Sequence, residues 1–229
     1  MSFSKTLLLP FFLFSIGTLN GCLEQSNVTP DSSSQKTAVD KTGNIDTAFH
    51  DGDIIFQRSS SGQSYAIQLA THSIYSHCGI LFNDNGKWFV YEAVQPVIKT
   101  PVNKWIARGE NRIYVVKRLK NADSLLTENA LYKMRKSVNG NLGKDYDVYF
   151  GWSDERIYCS ELVWKAYHDG TGLEVGELKK LGEYDLTQPA VKKIMKERYG
   201  NKIPLEEPMI SPGNIYASEL LITVRSNNL

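Results

Sequence analysis

Residues 77–92 read His-Cys-Gly-Ile-Leu-Phe-Asn-Asp-Asn-Gly-Lys-Trp-Phe-Val-Tyr-Glu. Two apolar runs flank Asn83-Asp84-Asn85-Gly86, and two such runs around an Asn-Gly turn are typical of a β-hairpin. We therefore expect an antiparallel sheet that is built around this hairpin.

The hairpin also predicts a contact between His77 and Glu92. If residues 83–86 form a four-residue loop, Glu92 lies directly opposite His77. If Asn85 and Gly86 are the two central turn residues, Glu92 faces Gly79 and lies diagonal to His77 on the same face. Only a loop of odd length places the two on opposite faces. A carboxylate beside an imidazole fixes its tautomer and stabilises its charged form, which is the role of the acid in a catalytic triad.

A candidate nucleophile lies further along the chain, at the start of a predicted amphipathic helix. The buried face of this helix is expected to contain Cys159, Leu162, Val163, Ala166 and Tyr167. A cysteine in the first turn of a helix is close to the positive end of the helix dipole, which favours the thiolate and lowers the pKa of the thiol. Cys159 is therefore the candidate nucleophile, and His77 is the candidate general base.

The cysteines also allow a simpler interpretation. The chain contains Cys22, Cys78 and Cys159, and in an oxidising compartment the last two would form a single disulfide. Strand alternation points Cys78 away from the face that carries His77, so we expect Cys78 to be a small core residue. A disulfide between Cys78 and Cys159 would then have to cross the sheet.

Four other segments complete the expected secondary structure. Residues 52–56 and 112–118 are predicted as strands, and residues 61–73 and 123–138 as helices, from the period of their apolar residues. Asn139-Gly140 is a good stop for the second of these helices.

Composition and charge limit the classes of partner. The chain has 229 residues and is 41% hydrophobic, enough for the core of one ordinary domain. Lys and Arg number 26 against 25 Asp and Glu, and Lys5 is the only charged residue before Cys22. A net charge of zero after Cys22 argues against nucleic acid as a partner, because binding to phosphates needs a clustered basic surplus.

The N-terminus predicts a lipid anchor. Lys5 precedes an apolar stretch too short to span a bilayer, and Leu19-Asn20-Gly21-Cys22 resembles a bacterial lipobox whose Cys is acylated. An ordinary signal peptide with a chance Cys is the alternative. We expect residues 1–21 to be the signal peptide, 22–48 a flexible polar tether and 49–229 a single domain. Leu23, rather than Asp, after Cys22 favours the outer membrane, facing the periplasm.

Several blocks of the chain resemble the YiiX-like family, which belongs to the circularly permuted, papain-like branch of the NlpC-type superfamily. The blocks are Gly52-Asp53-Ile54-Ile55-Phe56, Tyr75-Ser76-His77-Cys78-Gly79-Ile80, Tyr91-Glu92-Ala93, Gly143-Lys144-Asp145-Tyr146-Asp147, Ile157-Tyr158-Cys159-Ser160-Glu161-Leu162-Val163 and Ile210-Ser211-Pro212-Gly213. Permutation accounts for the order, since His77 and Glu92 precede Cys159.

The resemblance implies a fold and a set of roles. It implies an α+β, papain-like fold with an antiparallel barrel-like sheet packed against the helix that carries the nucleophilic Cys. Cys159 would be the nucleophile, His77 the base and Glu92 the orienting acid, and Tyr158 would line the site and help to bind the oxyanion. The implied activity is a thiol hydrolase or amidase, or an acyltransferase, acting on cell-wall peptide or lipid-like substrates in the envelope, with no cofactor.

Three other functions were weighed from the residues. A lipid-anchored binding or scaffolding protein could keep this fold with an idle site. Two cysteines on opposite sides of a strand are poorly placed for a redox role. A metal site is not expected, because His72, His77 and Cys78 lack the spacing of known zinc motifs.

Overall fold

The computed structural model describes residues 49–227. The predicted signal peptide, the lipidation site Cys22 and the whole predicted tether lie outside these residues, so they stay predictions. The centre of the fold is a six-stranded antiparallel sheet in the order β4-β3-β2-β1-β5-β8. Its strands are β1 (Ile54–Gln57), β2 (His77–Asp84), β3 (Lys87–Glu92), β4 (Ile98–Pro101), β5 (Tyr114–Leu119) and β8 (Leu221–Ser226). Two short strands, β6 (Lys179–Lys180) and β7 (Pro208–Met209), form a separate pair. The α+β class and the antiparallel sheet are as predicted, and β4 and β8 are the edges of the large sheet.

The β2–β3 hairpin adopts the second of the two expected registers. Asp84 pairs with Lys87 and Ile80 with Tyr91, so residues 85 and 86 are the central turn residues. Asn85 has φ of 52° and Gly86 of 80°, and a type I′ hairpin turn requires positive φ at both positions.

Gly79 allows β3 to pack close against β2 beside Glu92. A Cβ atom on residue 79 would lie 2.4 Å from Val90 Cγ1 and 2.6 Å from the carbonyl oxygen of Tyr91. No other residue fits without moving β3, so the strand that carries Glu92 lies close against the strand that carries His77.

The two faces of the sheet are buried in different ways. One face contributes residues such as Phe56, Cys78 and Ile80 to the larger core cluster, which includes the helix that begins at Cys159. The opposite face contributes Ile55, Leu81, Val90 and Val116 to a smaller cluster around Trp105. Alternation along β2 and β3 assigns His77 and Glu92 to this second face.

Seven helices surround the sheet: α1 (Gly62–Thr71), α2 (Val102–Arg108), α3 (Ala122–Leu125), α4 (Glu128–Asn141), α5 (Cys159–Thr171), α6 (Pro189–Tyr199) and α7 (Pro212–Tyr216). Single 3₁₀ turns occur at Glu110–Arg112 and Leu181–Glu183. None of the helices within residues 49–227 is long and apolar enough to cross a bilayer.

The helix predicted over residues 123–138 is in fact two helices. The chain leaves helical geometry at Leu126, and Thr127 then caps α4 by accepting a hydrogen bond from the backbone N–H of Ala130 at 3.2 Å. A threonine favours an N-cap over a helix interior, because its hydroxyl satisfies a free backbone donor there. The single-helix prediction missed this competing preference.

Candidate active site

His77 and Glu92 are in direct contact. Nε2 of His77 lies 2.6 Å from Oε2 of Glu92, and the imidazole stacks on the indole of Trp105 with ring centroids 5.9 Å apart. The diagonal position that the hairpin register predicts is therefore occupied by a hydrogen-bonded pair.

Three further donors hold the Glu92 carboxylate, and the sequence did not identify any of them. They are Thr100 Oγ1 at 2.6 Å, Trp105 Nε1 at 2.9 Å and Arg108 Nη2 at 2.5 Å. The Glu92 side chain is completely buried. Burial alone would raise its pKa, but the hydrogen bonds with His77, Arg108 and Thr100 and the charge of His77 lower it to about 2. Glu92 is thus a fixed anion. The only sequence signal for these donors was their position on the strand and helix that follow β3.

Cys159 is the first residue of α5, and its side chain is buried. The His77 imidazole lies close enough to this thiol for each group to shift the pKa of the other, and because Nε2 of His77 contacts Glu92, Nδ1 is the nitrogen left to face the thiol. A hydrogen bond from Cys78 lowers the pKa of Cys159 well below its usual range, and the bond and positive charge of His77 lower it further, against the effect of burial. Burial lowers the pKa of His77, but its bonds with Cys159 and Glu92 raise it to about 9. The pair is therefore a thiolate and an imidazolium at neutral pH.

The position of Cys78 corrects one expectation. Cys78 is a buried core residue, and alternation does separate it from His77. However, its face of the sheet is the one that packs on α5, and Cys78 lies close enough to Cys159 for its thiol and its backbone N–H to lower the pKa of Cys159. A bond between the two cysteines would not have to cross the sheet, because it is His77 that reaches Cys159 from the other face, at the end of β2. Both cysteines are free.

Tyr158 occupies the core rather than the mouth of the site. Its hydroxyl accepts a hydrogen bond from the backbone N–H of Ile210 at 3.1 Å, and its ring packs edge-on against Phe150. This position does not suit the oxyanion role that the resemblance implied for Tyr158.

Another tyrosine, Tyr146, lies in the walls of both cavities that flank Cys159 and His77. It lies close enough to Cys159 for the charge of the thiolate to contribute to the rise of its pKa, which burial causes first. Gln63 Nε2 donates to the Tyr146 hydroxyl at 3.0 Å, and Arg198 Nη2 donates to Gln63 Oε1 at 2.6 Å. Because the hydroxyl accepts from Gln63, its own proton is free to be donated to a substrate. The sequence placed Tyr146 in a family block but gave it no role.

Two cavities meet at the candidate site. The first has Cys159 in its wall. The second has His77 in its wall and is rich in serine. Gln63, Ile67 and Tyr146 belong to both walls. The thiol and the imidazole thus face different cavities across a shared boundary.

Comparison with known proteins shows the family to which the chain belongs. A family model described as "Permuted papain-like amidase enzyme, YaeF/YiiX, C92 family" matches residues 48–224. The chain belongs to this family. The resemblance drawn from the sequence and the permuted papain-like fold are therefore confirmed, and membership supports a hydrolase that acts on amides.

Two relatives of this permuted papain-like amidase come from Escherichia coli. The uncharacterized protein YiiX of strain K12 is 50% identical over 173 residues, which are 76% of this chain and 84% of YiiX. The crystal structure of the metalloprotein yiiX from strain O157:H7 is also 50% identical, with a TM-score of 0.73. The match covers 77% of this chain and 96% of the chain in the crystal structure.

The description as a metalloprotein belongs to the E. coli protein. Within residues 49–227 of this amidase, no group of three or more His, Cys, Asp or Glu side chains is arranged to hold a metal ion. His72, one of the residues considered for zinc, has a side chain that is 76% exposed and lies 3.7 Å from Asp185.

Proposed function

We propose that the protein is a cysteine-dependent amidase in which Cys159, His77 and Glu92 form the catalytic triad. The observation that carries this proposal is the chain of contacts from the buried Glu92 carboxylate through His77 to the Cys159 thiol. It places an ionised nucleophile beside a proton donor, which is what acyl transfer from an amide needs.

The first step forms an acyl-enzyme. The Cys159 thiolate attacks the carbonyl carbon, a C–S bond forms, and the C–N bond breaks as His77 gives its Nδ1 proton to the departing amine. The oxyanion that develops accepts hydrogen bonds from the backbone N–H of Cys159, at the free N-terminus of α5, and from the Tyr146 hydroxyl. Glu92 stays ionised and keeps Nε2 of His77 occupied.

The second step releases the acid. Water attacks the thioester carbonyl and gives a proton to His77, the C–S bond breaks, and the enzyme returns to the thiolate–imidazolium pair. An amine or alcohol in place of water would make the same site an acyltransferase.

The proposed setting is the bacterial envelope, with cell-wall peptides or lipid-like amides as substrates and an acyl anchor on Cys22. Residues 1–21 and Cys22 carry the sequence pattern that supports this location. Incorporation of labelled palmitate by the chain, and its absence in Cys22→Ser, would test the anchor.

The triad is tested by alkylation of the full chain with iodoacetamide across pH, with peptide mass spectrometry to separate Cys159 from Cys22 and Cys78. We expect selective labelling of Cys159 well below pH 8.5, the value of an unperturbed thiol, and slow labelling in His77→Ala. Conversion of Cys159→Ser would abolish cleavage of every amide that the parent cleaves. Ordinary labelling of Cys159, unaffected by His77→Ala, would instead support a non-catalytic binding or scaffolding lipoprotein.

A further inference from the structure

Resting on the proposed function, we propose that the substrate is an amide with an unbranched apolar chain on its carbonyl side and a small polar group on its nitrogen side. Three observations support this orientation: the apolar wall beside Cys159, the polar wall beside His77, and the position of the charged groups at their boundary.

The cavity beside Cys159 is an apolar pocket lined by residues of α1 and α6. Ala66, Ile67 and Ala70 of α1 face Val191, Ile194 and Met195 of α6 across it. Gln63 and Ala70 are seven residues apart on α1, so the pocket extends about 10 Å along the helix at 1.5 Å per residue. At the far end the backbone N–H of Asp185 donates to the carbonyl oxygen of Ala70 at 3.0 Å. A pocket of this shape fits a chain of medium length better than a bulky group.

The cavity beside His77 is more polar than the cavity beside Cys159, although Ile67, Ala93 and Val94 also line it. Its wall includes serines from the segment before α1, from α1 itself and from just before β2, together with Gln57 and Arg108; the serines are Ser59, Ser60, Ser61, Ser64 and Ser76. Hydroxyl and amide groups of this kind provide hydrogen bonds for a polar ligand.

The chemistry assigns one half of the substrate to each cavity. The acyl group becomes bonded to Cys159, which lies in the wall of the apolar cavity. The amine is protonated by His77, which lies in the wall of the more polar cavity. The scissile carbonyl then lies at the boundary that Gln63, Ile67 and Tyr146 form.

Arg198 marks the polar end of the apolar pocket. It is the only charged residue in the wall that the structure describes, and its Nη2 bond to Gln63 places it at the same end as Tyr146. Its Nη1 is buried and has no hydrogen-bond partner among residues 49–227. A buried unpaired donor favours a ligand oxygen, so Arg198 is a binding residue for an oxygen close to the scissile carbonyl.

Chloromethyl ketones test the pocket without requiring turnover, because the thiolate displaces chloride and forms a stable thioether. The full chain is treated with chloroacetone, with 1-chlorodecan-2-one, which carries an octyl chain, and with acetyl-leucine chloromethyl ketone, and labelling of Cys159 is followed by mass spectrometry. We expect the decanone to label Cys159 at least tenfold faster than either of the others. Ala70→Leu, which fills the far end, should lower the ratio of decanone to chloroacetone rates at least tenfold. Ala190→Leu, the same change on α6 outside the pocket wall, should leave that ratio within twofold.

A pair of reversed amides tests the orientation. N-(2-hydroxyethyl)octanamide presents an apolar acyl group and a polar amine, whereas N-octyl-2-hydroxyacetamide presents the reverse, and we expect cleavage of the first alone. Cleavage of the second alone, or of neither, would contradict the proposal. Faster labelling by the leucine probe would show that the pocket takes an amino-acid side chain, and equal rates for all probes would show that it selects nothing. In those cases the proposed triad is not affected. If none of the three probes labels Cys159, both proposals are contradicted.

Discussion

His77 and Cys78 lie on opposite faces of β2, yet both lie close enough to the thiol of Cys159 to lower its pKa. This is possible because α5 begins beside the N-terminal end of β2, where a side chain from either face of the strand reaches the same point. In the proposed mechanism His77 carries the proton that moves, and Cys78 is a second group that favours the thiolate. The nucleophile is therefore activated from both sides of one strand.

Glu92 sets the alkaline limit of activity. The thiolate–imidazolium pair is lost when His77 gives up its proton, and the pKa of His77 is raised to about 9 by its bonds with Cys159 and Glu92, in spite of burial. Glu92→Gln removes the charge that holds the proton, so the pKa of His77 falls and the pKa of Cys159 rises. We expect the alkaline limb of the kcat/KM profile near pH 9 in the parent, and both limbs closer together in the variant.

The measurement is the pH profile of Cys159 alkylation or of amide cleavage in the parent and in Glu92→Gln, with thermal unfolding to verify that the variant is folded. A variant whose alkaline limb stays near pH 9 would show that Glu92 does not act on His77.

Cys78 is expected to matter through its donor. Its hydrogen bond is the largest cause of the low pKa of Cys159, so Cys78→Ala should raise the pH at which Cys159 becomes reactive. Cys78→Ser keeps a donor of similar size and should retain most of the effect. Iodoacetamide labelling of Cys159 across pH compares the three proteins. Equal midpoints for the parent and the alanine variant would show that Cys78 is only a core residue.

The sequence predicted the His77–Glu92 contact because both even hairpin registers lead to it, and alternation is a local property of strands. It misjudged the geometry around Cys78, because alternation separates two neighbours without stating which face meets α5. That choice depends on how the helix packs on the sheet. The Thr100, Trp105 and Arg108 donors and the role of Tyr146 were missed for the same reason, since tertiary packing brings them to Glu92 and Cys159 from separate segments.

Glu161 makes the stability of the fold depend on pH. Its side chain is completely buried, and burial raises its pKa to about 7 although Lys165 Nζ lies 2.8 Å away. A folded-state pKa above the usual 4.5 means that the folded state holds this proton more tightly. The stabilisation of the folded state by the protonated Glu161 carboxyl is therefore complete below pH 4.5 and is lost as the pH rises through 7.

Glu161→Gln mimics the protonated form at every pH. We expect the free energy of unfolding of the variant, relative to the parent, to increase between pH 5 and 8 by on the order of 2 kcal/mol. Urea unfolding at four pH values across this range measures the difference. A difference that is constant with pH would show that Glu161 titrates normally in the folded protein.

Tyr146 is expected to contribute to catalysis rather than to folding. Its hydroxyl accepts from Gln63 and keeps its own proton for the oxyanion, so Tyr146→Phe should lower kcat by roughly 10²–10³-fold, the usual cost of one oxyanion donor. Alkylation of Cys159 by iodoacetamide develops no oxyanion, so its rate should change by less than threefold in this variant. Tyr158→Phe is the matched comparison: its hydroxyl accepts from the backbone N–H of Ile210 inside the core, and Tyr158 lies in the wall of neither cavity, so the change should lower the melting temperature and leave kcat within a few-fold of the parent. If instead Tyr158→Phe loses the larger share of kcat at unchanged alkylation rate, the oxyanion role belongs to Tyr158.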